Sequence, residues 1–67
     1  MTKQIILKST KRLKMERNGE YIGSITNMED DIEITIGEYD NTKEIAIDYY
    51  SNGLCVHIWC TKYKVEE

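Results

Sequence analysis

Two Asn-Gly pairs, Asn18-Gly19 and Asn52-Gly53, interrupt runs in which apolar and polar residues alternate. Asn and Gly both tolerate the positive φ of a tight hairpin turn, so each pair predicts two antiparallel strands joined at that point. Read as a two-residue turn, Asn52-Gly53 opposes Tyr49 to Val56, Ile47 to Ile58, Asp48 to His57 and Ala46 to Trp59. Side chains alternate along a strand, so one side of this ribbon is aliphatic. The other side carries Asp, Tyr, Cys, His and Trp.

The alternation continues upstream. Ile32, Ile34 and Ile36 alternate with Glu33, Thr35 and Gly37. A turn at Asp40-Asn41 opposes Glu38 to Lys43, Ile36 to Ile45, Ile34 to Ile47 and Ile32 to Tyr49, which again places the isoleucines on one face. The period of two and the abundance of β-branched residues exclude a helix here. Residues 3–8 read as a first strand, and 12–16 with 20–26 as a hairpin. In that hairpin a three-residue loop with Gly19 as a left-handed bulge opposes Met15 to Tyr21 and Leu13 to Gly23. Leu13, Met15, Tyr21 and Ile25 then share a face, opposite Arg12, Lys14 and Glu16. The last strand runs from about Leu54 to Val65. The expected fold is a single all-β domain over residues 1–67, a small antiparallel meander of five to six strands forming a sandwich or partly open barrel, with Ile34, Ile47, Val56 and Ile58 in the core.

Sixty-seven residues allow one small core, so stability is expected to be marginal without a partner or a second copy. Charge is uneven along the chain. Residues 1–19 hold six Lys or Arg against Glu16 alone, whereas residues 20–50 hold nine carboxylates against Lys43. Such asymmetry steers charged partners or brings copies together. No apolar run approaches the length of a membrane span, and no signal-peptide core is seen, so no membrane association is expected. Cys55 and Cys60, on opposite faces of one strand, cannot pair with each other and fit a reducing, cytoplasmic setting. One His and two diverging Cys give no metal-ligand spacing. Neither a metal nor a cofactor is expected.

On the outer face the predicted rows are Glu33, Asp48, His57; Thr35, Ala46, Trp59; and Asp31, Tyr50, Cys55. Glu33 and Asp48 would repel each other, and an imidazolium at His57 would relieve that repulsion. No nucleophile or phosphate loop accompanies them, so the chain does not read as an enzyme. Trp59 faces only small Ala46, and Tyr50, Tyr63 and Tyr39 could share its face. Trp59, His57, Tyr50, Asp48, Glu33 and Tyr63 are therefore the candidate binding residues, either for a partner protein or between copies in a homo-oligomer. Nucleic acid on this face is disfavoured by its carboxylates, but Lys8, Arg12, Lys14 and Arg17 could form a separate basic strip.

The stretch E-D-D-I-E-I-T-I-G-E-Y-D-N-T-K-E-I-A-I, residues 29–47, resembles the middle strands of the carbon-storage-regulator family of bacterial RNA-binding proteins. R-N-G-E at 17–20 is similar to that family's N-terminal Arg…Gly-Glu segment, and Val56-His57 to its C-terminal Val-His. The resemblance implies a small strand-swapped dimer that binds messenger-RNA leaders and blocks translation. The chain departs from the family pattern at Tyr49-Tyr50, where the family has Ala-Pro, and at Ile58, where the family has an RNA-binding Arg.

Two functions follow as expectations. The first is a small cytoplasmic, non-catalytic protein-binding module, such as a phage-encoded inhibitor or anti-defence protein. The second is a dimeric RNA-binding translational regulator using the basic N-terminal strands.

Overall fold

The computed structural model describes residues 1–39 and 42–66. Seven strands run in chain order: β1 (Thr2–Leu7), β2 (Arg12–Arg17), β3 (Glu20–Ile25), β4 (Ile32–Glu38), β5 (Ile45–Ser51), β6 (Leu54–Cys60) and β7 (Lys62–Glu66). They form two antiparallel sheets, a four-stranded one in the order β1-β4-β5-β6 and a three-stranded one in the order β3-β2-β7. The protein is the small all-β sandwich that the alternation predicts, although the pairing is more than a meander. β1 sits beside β4, across the intervening β2–β3 hairpin, and β7 returns to β2.

The Asn52-Gly53 turn forms as expected. Asn52 and Gly53 have φ of 53° and 80°, and Tyr49, Ile47, Asp48 and Ala46 oppose Val56, Ile58, His57 and Trp59. The other two hairpins differ from expectation in an instructive way. Asn18 and Gly19 (φ 52° and 86°) also make a two-residue turn, pairing Arg17 with Glu20 and Glu16 with Tyr21. Tyr21 therefore faces outward. A bulge then opposes Met15 to Gly23 and Leu13 to Ile25, returning Ile25 to the core face.

The expected turn at Asp40-Asn41 lies outside the described residues. The pairing on either side is two residues from expectation, with Glu38 opposite Ile45, Ile36 opposite Ile47 and Ile34 opposite Tyr49. Local bonds draw the chain out of the ladder here: Thr42 N–H donates to the Tyr39 carbonyl at 3.3 Å, and Glu44 N–H donates to Thr42 Oγ1 at 3.2 Å. An even shift leaves every side chain on its original face, so the isoleucines still point inward.

The core lies between the sheets. Leu7, Ile34, Ile36, Ile47 and Cys60 of the larger sheet meet Leu13, Met15 and Ile25 of the smaller one. Val56 and Ile58 are only half-buried, contrary to expectation, because β6 is an edge strand. Thr61 is the corner at which the last predicted strand divides into β6 and β7. Its N–H donates to the Glu16 carbonyl at 2.9 Å, and Asn18 N–H donates to Thr61 Oγ1 at 2.9 Å. The corner reverses the parity. Even-numbered side chains of β6 face the core, whereas in β7 Tyr63 and Val65 oppose Met15 and Leu13.

Candidate functional site

Alternation leaves Thr2, Gln4 and Ile6 of β1, Glu33, Thr35 and Gly37 of β4, Ala46, Asp48 and Tyr50 of β5, and Cys55, His57 and Trp59 of β6 on the outer face of the larger sheet. The register groups them into rows. One row is Gln4, Thr35, Asp48 and His57, so Thr35 rather than Glu33 faces Asp48. The expected pair of opposed carboxylates is not made. His57 Nδ1 instead meets Asp48 Oδ1 directly, as a cross-strand pair. Glu33 lies one row away, opposite Ile6, and shares a hollow with Asp48, Tyr50 and Cys55.

The next row is Thr2, Gly37, Ala46 and Trp59. Here a slot forms. The Tyr39 ring folds back over Gly37, its Oη and Cζ standing 3.6 and 3.9 Å from where a Cβ on Gly37 would lie, and the Ala46 methyl is 3.7 Å from the same point. Gly37 is buried for this reason although it faces outward. Trp59 stands at the other end of the row. The cleft between the two rings measures about 350 Å³ and is lined by Tyr39, Glu44, Ala46, His57 and Trp59. Tyr39 is 58% exposed, Trp59 40% and Tyr50 73%.

Trp59 is covered on one side by a residue of the other sheet. The Arg17 guanidinium lies 4.2 Å from the indole centroid and donates to the Trp59 carbonyl from Nη2 at 2.8 Å and from Nε at 3.3 Å. Arg17 thereby closes part of the open edge of β6 and stacks on its aromatic residue. Residue type and position alone marked Arg17 as a cation for a phosphate; only the fold brings it to Trp59.

Of the candidate binding residues, Trp59, His57, Tyr50, Asp48 and Glu33 share this face. Tyr63 does not. It lies on β7, half-buried against the core, with the Lys3 ammonium 5.9 Å from its ring centroid, because Thr61 reverses the parity of the strand. Tyr39, expected on this face, and Glu44, which was not singled out, line the slot from just beyond the ends of β4 and β5, where they continue the outward parity of those strands.

The basic residues are divided as well. Arg12 and Lys14 do share a face, the outer side of the smaller sheet, where Lys62 and Lys64 of β7 join them. Glu66 bridges Lys14 at 3.0 Å and Arg12 at 3.8 Å. The hydrogen bond from Lys14, reinforced by the charges around it, holds the Glu66 carboxyl below its ordinary range. Lys8 lies elsewhere, 3.4 Å from Asp31, whose carboxyl is lowered chiefly by the Ser9 N–H at 2.9 Å and then by Lys8. Lys14 also sits over the Tyr21 ring, 5.8 Å from its centroid.

Among the described residues no three His, Cys, Asp or Glu side chains come together as a metal-ligand set, and no helix is long and apolar enough to cross a membrane. Comparisons with protein-family models, with curated protein sequences and with solved structures return no match.

Proposed function

We propose that this chain is a non-catalytic protein-binding module whose contact surface is the outer face of the larger sheet. The observation that carries this reading is the row Gly37, Ala46, Trp59 with Tyr39 folded beside it, which leaves large aromatic rings open to solvent around a slot on the sheet. Partly exposed Trp and Tyr residues supply much of the energy of protein–protein contacts. The outward positions of the four strands carry Glu33 and Asp48 and no Lys or Arg. Such a face complements a partner with a basic surface, including one that otherwise holds nucleic acid. An inhibitor or anti-defence protein acting by contact in the cytoplasm would use a face of this kind.

The test is capture of partners from a lysate of the producing cells on the immobilised chain. Asp48→Lys is expected to abolish capture and Lys64→Glu to leave it intact. The reverse pattern overturns the reading.

A second reading is supported by the groove of about 430 Å³ on the smaller sheet, where Lys14, Lys62 and Lys64 surround Tyr21 and Tyr63. Cations beside an aromatic ring suit a single-stranded RNA, although Glu16 and Glu66 line the same groove. RNA affinity that falls steeply with salt and is lost in Lys14→Glu would favour this reading.

A further inference from the structure

We propose that the slot between Tyr39 and Trp59 receives the guanidinium of an arginine side chain presented by the partner protein. The inference rests on the reading of this face as the contact surface and names the chemistry of its anchor.

The Tyr39 ring rests on Gly37, which has no side chain to hold it off, and the floor between the two rings is the Ala46 methyl. From β4 to β6 the row crosses two strand spacings of about 4.8 Å each, and the inward lean of Tyr39 narrows the gap. A flat group held between two rings needs about 3.5–4 Å on each side, a total that lies within the two strand spacings. A planar, weakly hydrated guanidinium fits such a gap better than a compact, strongly hydrated ammonium. Charge points the same way. Glu44 lines the slot beside His57, whose ring is bonded to the Asp48 carboxylate of the adjoining row, and aromatic ring faces attract cations. Trp59 already holds one guanidinium, that of Arg17, 4.2 Å from its ring centroid.

The arginine belongs to a different protein. This chain has two, Arg12 and Arg17. Arg17 is spent on Trp59, and Arg12 lies 3.8 Å from Glu66 on the opposite side of the sandwich. A second copy could offer an arginine only by giving up one of these contacts.

The chain contains one tryptophan, so indole fluorescence reports on this slot alone. The probe is acetyl-Gly-Arg-Gly-amide, with the Lys tripeptide as its counterpart. A saturable change with the arginine peptide is expected, about fivefold weaker with the lysine peptide. Tyr39→Ala and Ala46→Leu, which remove one wall and fill the floor, should each weaken it by about fivefold or more. Tyr21→Ala, on the other sheet, should leave it unchanged; circular dichroism establishes that each variant is folded. An absent response, equal binding of the two peptides, or a response that survives both slot variants overturns the proposal. So does self-association in sedimentation that disappears in Tyr39→Ala, since the occupant would then be a second copy. Partner capture separates this inference from the reading beneath it. Capture lost in Asp48→Lys but unchanged in Tyr39→Ala leaves the contact face standing and removes the slot. Capture unaffected by Asp48→Lys removes the face, whatever the peptide does.

Discussion

The two outer faces of the sandwich are built on the same alternation yet present opposite chemistry. On the smaller sheet Arg12, Lys14, Lys62 and Lys64 stand among Glu16 and Glu66, and Glu66 already holds two of the cations in ion pairs. On the larger sheet Asp48 is paired with His57, but Glu33 and Glu44 take part in no ion pair among the described residues, and the aromatic rings beside them are open to solvent. Charges engaged within their own face give up less to a partner than charges that are free, because their internal contacts must first be replaced. The difference teaches that the sign of a face is a poor guide to its use. What its side chains are already bonded to says more.

The faces share one core, and the largest expected effects fall there. Ile47→Ala on the larger sheet and Leu13→Ala on the smaller each empty a fully buried site and should cost about 2–5 kcal/mol, read by chemical or thermal unfolding. In a domain of this size either could abolish folding. A small effect at one site and a large one at the other would mean that the sheets do not depend on a common core. Smaller effects should separate the faces. Trp59→Ala is expected to weaken partner binding by about 2 kcal/mol or more. The fold should lose less, on the order of 1 kcal/mol, since Arg17 stacking is the main contact removed.

Acid should act on the ion pairs of Glu66 and Asp31. Glu66 and Asp31 are both held below their ordinary values of 4.5 and 3.8. Carboxyls lowered in the folded state add stability above those values and lose it as pH falls through the folded pKa values, so stability should rise with pH across that window. Glu66→Gln should flatten part of the dependence of melting temperature on pH. An identical acid limb in that variant would show that the ion pairs on the smaller sheet do not hold. The smallest expected effect is one of access. Cys55 is exposed and Cys60 buried, with burial pushing the Cys60 thiol up, so a thiol reagent should find one fast thiol in the native protein and two after unfolding. Two fast thiols would show that the core opens at β6.

The sequence made facing legible better than register. Asn52-Gly53 set both, because its turn has two residues and no bulge follows. At β4–β5 and β2–β3 the isoleucines, Leu13, Met15 and Ile25 were placed on the correct face, while the partners across the ladder were shifted. Alternation is blind to an even slip, and the bonds around Thr42 and the bulge after Tyr21 decide the slip locally. The candidate site was legible to the same extent. Trp59, His57 and Asp48 were placed together by their turn. The corner at Thr61, which carries Tyr63 to the other sheet, has neither Gly nor Pro to announce it, and the approach of Arg17 to Trp59 depends on how the two sheets close.

The central claim is that partners meet the larger sheet. Its most direct test is amide and indole NMR of the labelled chain with and without a captured partner. Shifts should concentrate at Thr35, Ala46, Asp48, His57 and Trp59, with little change at Lys14, Tyr21, Lys62 and Lys64. Shifts concentrated at the latter four residues would contradict it.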